Sequence, residues 1–147
     1  MIRTMIRKYI PEDATAVIDL WLKASAISHS FIEYDYWLKN ADAMKSVYLP
    51  MANTSVYVTE QGEIAGFIAL VGNLVAALFV SPTHQNCGIG SVLLREAKER
   101  FTSLELYVYA LNGPAIRFYT RNGFERRGSH TDPNTGELQY RMEFHAG

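Results

Sequence analysis

The sequence has little of what marks disulfide-stabilised, membrane-spanning or nucleic-acid-binding proteins. Its single cysteine, Cys87, excludes a disulfide within the chain and favours a reducing compartment, so we expect a cytoplasmic protein. The formal net charge is only −1, whereas a general nucleic-acid binder needs a basic field to hold phosphates. The most apolar stretch, residues 66–80, is interrupted at Gly72 and is shorter than the roughly 20 residues of a membrane helix. We therefore predict no nucleic-acid partner and no membrane span.

What the sequence does contain is the composition of one globular domain. Hydrophobic residues make up 48% of its 147 residues and charged residues 20%, which is typical of a folded chain. Because no linker rich in Pro, Gly or Ser divides it, we predict a single domain over residues 1–147. The histidines show no ligand spacing with one another or with Cys87, so we predict no metal site.

Hydrophobic periodicity predicts alternating helices and strands. In chain order these are a strand at 6–10, a helix after Pro11, a helix or helix pair at 31–49 that ends at Pro50, strands at 55–59, 64–71 and 74–80, a helix at 88–101, a strand at 104–110, a helix at 114–122, and strands at 124–128 and 138–144. This order predicts an α/β domain with a mixed, largely antiparallel sheet. The helix between strands 74–80 and 104–110 is a crossover, so these two strands are expected to be parallel.

The segment at residues 80–91, VSPTHQNCGIGS, is typical of an anion-binding loop. A strand end, a turn and a helix start leave unpaired backbone N–H groups at the positive end of a helix dipole, which favours phosphate or pyrophosphate. Gly88 and Gly90 would let the anion approach the backbone, although a turn at Gly88 and close packing at Gly90 explain them equally well. The lysine of a P-loop and the third glycine of a dinucleotide fingerprint are both missing, so a different pyrophosphate ligand is needed.

Two segments together resemble the GNAT N-acetyltransferases. QNCGIG at residues 85–90 resembles the Gln/Arg-x-x-Gly-x-Gly/Ala signature of that family, and NGPAIRFYTRNGF at residues 112–124 resembles its second motif. One helix and one strand separate them, as in the family. The resemblance implies a GNAT-like α/β fold, with a mixed, largely antiparallel sheet of seven strands, about four helices and a splayed pair of parallel central strands. Segments 29–32 and 78–80 are similar to those of small bacterial members that include protein-lysine acetyltransferases.

The family resemblance implies that acetyl-CoA is the cosubstrate, bound in the opening between strands 74–80 and 104–110. Its pantetheine arm would pair with the backbone of Phe79 and Val80 as an added strand, and a backbone N–H near Leu78 or Phe79 would donate to the oxyanion. The cofactor-binding residues implied are Leu78, Phe79, Val80, Gln85, Asn86, Cys87, Gly88, Ile89, Gly90, Ser91 and Asn112. Capping of the following helix explains Asn112 at least as well as contact with CoA does.

The resemblance also implies direct transfer, with Tyr119 as the catalytic proton donor. Tyr119 stands where the family carries a tyrosine whose hydroxyl faces the CoA sulfur, and a phenol with a pKa of about 10 stays protonated at neutral pH. Packing on the sheet is the alternative role for this side chain, and it suits the neighbouring Phe118 well.

An amine acceptor has to lose a proton before it attacks, because a lysine-like amine has a pKa of about 10.4. The candidates for the base are His29, Glu33, Glu60 and Glu105. We select His29 as the second catalytic candidate, because the unperturbed pKa of histidine is near neutrality and segment 29–32 is on the acceptor side. An exposed histidine at a helix start is an equally good interpretation.

The predicted reaction is acetyl transfer to a primary amine, such as a protein lysine or an N-terminus. Phe31 and Glu33 are expected to border the cationic acceptor, together with the loop at residues 130–136. Two alternatives stay open, an acetyltransferase for a small-molecule amine and a non-catalytic module that binds acyl-CoA. The tyrosine at position 119 favours an enzyme over a binding module.

Overall fold

The structure is a computed structural model that describes residues 6–85 and 87–147. The elements in chain order are β1 (Ile6–Lys8), α1 (Ala14–Ser28), α2 (Tyr34–Ala43), α3 (Leu49–Met51), β2 (Asn53–Val58), β3 (Ile64–Val71), β4 (Leu74–Val80), α4 (Ile89–Arg100), β5 (Ser103–Tyr109), α5 (Gly113–Arg121), β6 (Glu125–Thr131) and β7 (Leu138–His145). The strands form one sheet in the order β1-β2-β3-β4-β5-β7-β6. β4 and β5 are parallel, and the other neighbours are antiparallel. The predicted seven-stranded, mixed α/β fold is thereby confirmed.

Helices cover both faces of the sheet and bury β3 between them. On one face Leu93 of α4 packs in the same cluster as Ile68 of β3, and on the other face Val17 of α1 packs in a cluster with Phe67. Successive residues of a strand point to opposite faces, so a strand covered on both faces needs apolar residues throughout. This is why residues 65–70 form an unbroken buried run.

The central strands β4 and β5 are paired at one end only. Their register contains the single pair Leu74–Glu105, next to a hydrogen bond of 3.0 Å from the N–H of Glu105 to the carbonyl oxygen of Asn73. Beyond that point β5 pairs with β7 along its whole length and β4 stays with β3. The sheet therefore opens towards Val80 and Tyr109, and this gap lies at the carboxyl ends of two parallel strands, where α/β sheets bind ligands.

The sequence predicted that the helical run after α1 ends at Pro50, but the run continues to Met51. A π-helical turn, Met44–Tyr48, follows α2, and Pro50 then lies in the first turn of α3, where its missing N–H is tolerated. Trp37 of α2 and Met44 of the π turn are buried, whereas Tyr48 at the end of that turn is 57% exposed.

The hairpin at the C-terminal end is longer than predicted. β6 extends to Thr131, so the residues at 130 and 131 belong to the strand and the connecting loop covers only 132–137. Within the described residues, no helix is both long enough and apolar enough to cross a membrane.

Candidate active site

The open edge of β4 presents the backbone of alternate residues to the gap. The register pairs Phe79 with Phe67 of β3, and the N–H of Ser81 donates to the carbonyl oxygen of Ala65 at 2.8 Å. Hydrogen bonding alternates along an antiparallel strand, so the N–H and carbonyl groups of Phe79 face β3, whereas those of Leu78 and Val80 face the gap. The expectation that pantetheine pairs with the Phe79 backbone is therefore wrong, because β3 already occupies that edge, and only the Phe79 side chain borders the site.

The loop after β4 folds back onto the strand end. Nε2 of Gln85 donates to the carbonyl oxygen of Val80 at 2.8 Å, which closes the loop and occupies one of the acceptors that face the gap. Cys87 is exposed, and its thiol donates to the carbonyl oxygen of Gln85 at 3.6 Å. Asn86, which the sequence analysis placed in the cofactor site, lies outside the described residues.

The start of α4 has the geometry of an anion site. Gly88 is the N-cap residue, with φ of +78°, a left-handed conformation that strongly favours glycine. Its carbonyl oxygen accepts the first bond of the helix, from the N–H of Val92 at 3.1 Å. The N–H groups of residues 87–91 donate no hydrogen bond to any other residue that the structure describes. Ile89 is buried at 5% exposure and Ser91 is half-buried, so these two residues can offer backbone N–H groups to a ligand while their side chains help anchor the helix.

Gly90 lets α5 pack closely on α4. A Cβ atom at this position would come within 3.1 Å of Cζ of Phe118, which is closer than real Cβ contacts ordinarily approach. The close-packing interpretation of Gly90 is thus correct for this residue, and Phe118 takes the packing role expected of it. Phe118 thus rests on the first turn of α4, and the residue that follows it in α5 is the predicted proton donor.

That residue, Tyr119, lies among aromatic side chains. Its ring centre is 5.2 Å from that of Phe118 and 5.5 Å from that of Phe124, and Phe124 is itself fully buried. Burial raises the pKa of the Tyr119 hydroxyl above that of an ordinary phenol, and no neighbouring charge contributes. The phenol consequently holds its proton at neutral pH and is available as a proton donor.

Asn112 caps α5 and also reaches the opposite side of the gap. Its Oδ1 accepts a hydrogen bond from the N–H of Ala115 at 3.3 Å, which is the helix-capping role that the sequence allowed. Its amide nitrogen lies 3.3 Å from Nε2 of His29. Both side chains are buried, at 8% and 9% exposure, so this bond connects α5 to the end of α1 inside the protein.

His29 is enclosed by aromatic rings rather than exposed. Its ring stacks on Trp37 at 5.3 Å and meets Phe31, Phe79 and Tyr109 edge-on at 5.8, 6.2 and 5.2 Å. Desolvation lowers the pKa of His29 from 6.5 to about 4. The unperturbed pKa that favoured His29 as a base does not apply here, because a charged imidazole would be buried among apolar rings.

The other three candidates for the base lie apart from the aromatic rings around His29. Glu33 is exposed as the N-cap residue of α2, and Glu60 is exposed in the turn between β2 and β3. Glu105 accepts from the Tyr107 hydroxyl at 3.3 Å and lies at the paired end of β5, opposite to the open end of the gap. Of the two residues predicted to border the acceptor, Phe31 and Glu33, Phe31 contacts His29 directly.

A groove of about 470 Å³ borders the aromatic rings around His29, because Trp37 belongs to both. Its lining residues are aromatic, amide-bearing or apolar, and they are Trp21, Tyr36, Trp37, Asn40, Met44, Tyr48 and Asn134. Asp132 lies next to the lining residue Asn134, because its Oδ1 accepts from the N–H of Asn134 at 2.9 Å. Burial first and the Asp132 carboxylate second raise the pKa of Tyr36. Oδ2 of Asp132 also accepts from the Tyr109 hydroxyl at 2.7 Å.

The sequence placed the loop at residues 130–136 beside the acceptor but did not single out Asp132 within it. An aspartate at a turn indicates a local bond, and Oδ1 of Asp132 does accept from the N–H of Asn134 at 2.9 Å. The second bond, to Tyr109, connects residues 23 apart in sequence, and no local pattern signals it. Within residues 6–85 and 87–147, no group of three or more His, Cys, Asp or Glu side chains could hold a metal ion.

Comparison with known proteins adds relatives and a matching family model. The family model described as acetyltransferase (GNAT) domain matches residues 52–126. The chain is 36% identical over 121 residues to the peptidyl-lysine N-acetyltransferase YiaC of Escherichia coli K12, covering 82% of each protein. It is 31% identical over 123 residues to the peptidyl-lysine N-acetyltransferase YjaB of the same organism, covering 84% of this chain and 83% of YjaB.

Solved structures show the same architecture. The solution structure of apo YjaB from Escherichia coli superposes with a TM-score of 0.87 and 26% identity, over 99% of this chain and 100% of the other. The PaiA N-acetyltransferase from Thermoplasma acidophilum, solved in complex with coenzyme A, superposes with a TM-score of 0.80 at 21% identity, over 98% and 99% of the two chains. At that identity the second likeness shows a shared fold.

Proposed function

Because the chain belongs to the GNAT family and is an acetyl-CoA-dependent N-acetyltransferase, we propose that its acceptor is the side-chain amine of a protein lysine. The observation that carries this proposal is the identity of 36% and 31% to two peptidyl-lysine N-acetyltransferases, each over more than four fifths of the chain. Relatives of that likeness and coverage commonly share a substrate class, whereas fold alone does not imply one.

We propose that acetyl-CoA binds along the open edge of β4 and on the first turn of α4. The N–H groups of residues 87–91, which donate to no other described residue, support a pyrophosphate position there, since they lie at the positive end of a helix of 12 residues. The carbonyl oxygen of Leu78, which faces the gap, supports pairing with an N–H group of the pantetheine arm. Since Gln85 already occupies the Val80 carbonyl oxygen, Leu78 is the main pairing residue.

In the proposed transfer, a neutral amine attacks the acetyl carbon, the C–N bond forms and the carbonyl electron pair moves onto oxygen. The N–H of Leu78 faces the gap and would donate to that oxyanion. As the C–S bond breaks, the Tyr119 hydroxyl gives its proton to the departing thiolate and later regains one from water. The protons that the amine loses pass to water in the groove.

The groove beside α2 supports an extended amine acceptor. Its aromatic walls, Tyr36, Trp37 and Tyr48, can pack on the methylene groups of a lysine. The Asp132 carboxylate, which accepts from the N–H of the lining residue Asn134, can attract the ammonium group before it is deprotonated. Tyr48 is also exposed on the outer surface, so the groove is accessible to a chain that lies across it.

Release of the CoA thiol in the presence of different amines tests the proposed acceptor. The panel contains peptides with one lysine and a blocked N-terminus, the same peptides with arginine in place of lysine, spermidine and an aminoglycoside. We expect turnover with the lysine peptides, and loss of that turnover in Tyr119→Phe while acetyl-CoA still binds. Turnover with only the small amines would overturn the protein-lysine proposal, and binding without turnover on any amine would indicate a non-catalytic module.

A further inference from the structure

Asn112 determines which nitrogen of His29 carries the proton. Oδ1 of Asn112 accepts from the N–H of Ala115 at the start of α5, so the amide nitrogen Nδ2 is the atom that faces His29. Nδ2 lies 3.3 Å from Nε2 of His29, and an amide nitrogen can only donate. Nε2 must therefore accept, and the imidazole proton resides on Nδ1.

The Nδ1–H group of His29 has no partner in the part of the chain that the structure describes. Nδ1 is a buried atom without a hydrogen bond, and the residue as a whole is 9% exposed. A buried donor that has lost its water and gained no acceptor is destabilising, and such groups in folded proteins call for a ligand, a water or a functional explanation. The geometry thus leaves one donor available to an incoming molecule.

This donor lies where β4 and β5 part. The His29 ring centre is 6.2 Å from that of Phe79 on β4 and 5.2 Å from that of Tyr109 at the end of β5. Leu78, whose backbone borders the gap, precedes Phe79 in the strand. An acetyl thioester that runs along the edge of β4 brings its carbonyl group to this end of the gap.

We propose that His29 donates a hydrogen bond through Nδ1–H to the carbonyl oxygen of the acetyl group of bound acetyl-CoA. This role rests on the proposed cofactor site along β4, and it replaces the role of base predicted from the sequence. When the amine attacks, the carbonyl electron pair moves onto that oxygen and the bond from Nδ1–H strengthens without transfer of the proton. When the C–S bond breaks, the carbonyl re-forms and the thiolate takes its proton from Tyr119.

Two properties of His29 make it unsuited to act as a base. Its only lone pair accepts from Asn112, so it is not available to an amine. Burial also lowers its pKa to about 4, which keeps the ring uncharged at neutral pH. A neutral ring with a fixed tautomer is suited to donate a hydrogen bond to a developing negative charge.

Two of the four rings around His29 are only half-buried. These are Phe31, in the connection between α1 and α2, and Phe79 of β4, whereas Trp37 and Tyr109 are buried. The ring of Phe31 lies 5.8 Å from that of His29 and 5.6 Å from that of Tyr109. Because Nδ1 is itself buried, contact with the acetyl group requires a neighbouring side chain to move, and we assign that movement to Phe31, which no strand holds in place.

A matched pair of variants separates the donor from a structural role. In His29→Gln the side-chain oxygen can occupy the position of Nε2 and keep the bond to Asn112, but the donor at Nδ1 is lost. In His29→Asn the amide group can occupy the position of Nδ1 and keep a donor there, but the acceptor for Asn112 is lost. We expect kcat for a lysine peptide to fall roughly 100-fold in His29→Gln, as when one oxyanion donor is removed, and to fall less in His29→Asn.

The outcomes separate the proposed donor role of His29 from the proposal that the acceptor is a protein lysine. Unchanged kcat in His29→Gln, with the wild type active on lysine, would overturn the donor role alone. A lower kcat in His29→Asn but not in His29→Gln would show that His29 has only a structural role, through its hydrogen bond to Asn112. If no lysine peptide is a substrate, the acceptor proposal fails, and the donor is still tested with any amine that is turned over.

Spectroscopy adds two measurements, the first of which needs only the wild type. In ¹⁵N NMR of the wild type, His29 should be the neutral Nδ1–H tautomer, and its Nδ1 signal should shift with acetyl-CoA but not with CoA, which lacks the acetyl carbonyl oxygen. The carbonyl stretch of bound ¹³C-labelled acetyl-CoA should be lower in the wild type than in His29→Gln. An Nε2–H tautomer, or an equal response to both ligands, would refute the proposal.

Discussion

Replacing Gly88 by alanine tests whether the backbone at the start of α4 holds the pyrophosphate. Gly88 has φ of +78°, and a Cβ added there would meet no heavy atom within 4 Å. Gly62, in the turn between β2 and β3, has φ of +84° and equally open surroundings. Both substitutions therefore place an alanine in a left-handed conformation without a clash, at a loss of about 1–2 kcal/mol each.

The two variants should differ only in cofactor binding. At both positions the strain predicts a similar decrease in Tm of about 2–8 °C, given the size of the chain. The methyl group at position 88 enters the space that the anion needs, and loss of one charge-assisted hydrogen bond weakens binding by about 1.5–3 kcal/mol. That change raises the Kd of acetyl-CoA by about 10- to 150-fold in Gly88→Ala and leaves it unchanged in Gly62→Ala.

Isothermal titration calorimetry with acetyl-CoA measures both Kd values, and thermal unfolding by circular dichroism measures both Tm values. Equal Kd values for Gly88→Ala and Gly62→Ala would refute the pyrophosphate position, because the strain is shared and only the location differs. An increase in both Kd values in proportion to the decrease in Tm would show that the effect on binding arises from stability alone.

Three further expectations follow from buried groups. The pKa of His29 in the folded chain is about 4, so between pH 6.5 and 4 the unfolded chain binds a proton that the folded chain does not. The free energy of unfolding should therefore fall by up to roughly 3 kcal/mol as the pH falls from 6.5 to 4. Chemical denaturation should show this fall in the wild type and not in His29→Gln. Tyr109→Phe leaves Oδ2 of Asp132 without its bond of 2.7 Å and should lower stability by about 1–3 kcal/mol, and an unchanged denaturation midpoint would contradict this. Gly90→Ala should lower Tm through contact with Phe118 at 3.1 Å, whereas Gly136→Ala, at φ of +76° with no atom within 4 Å, should show only the loss expected from backbone strain.

The fold was predictable because its signals are local. The apolar run at β3 and the glycine turns on either side of it indicate a meander, and the crossover through α4 requires β4 and β5 to be parallel. The helix boundary at Pro50 was not predictable in the same way. A proline favours a helix end, but a π turn before it lets the helix resume, and no single residue type signals that turn.

The site was predictable only where a motif fixes the backbone. QNCGIG anticipates the left-handed N-cap at Gly88, because glycine is required there. The properties of His29 depend on Asn112, 83 residues away, and on rings from four separate elements or loops, so its lowered pKa could not be read from the sequence. The direction of the Phe79 backbone depends on register with β3, which the apolar pattern alone leaves undetermined.

Mass spectrometry of a peptide after incubation with the enzyme and acetyl-CoA tests the central claim most directly. The peptide carries a blocked N-terminus and a single lysine, and its control carries arginine at the same position. We expect one acetyl group on Nε of the lysine with the wild type, none on the arginine peptide, and a rate about 100-fold or more lower with Tyr119→Phe. An unmodified lysine peptide under conditions in which spermidine is acetylated would contradict the claim.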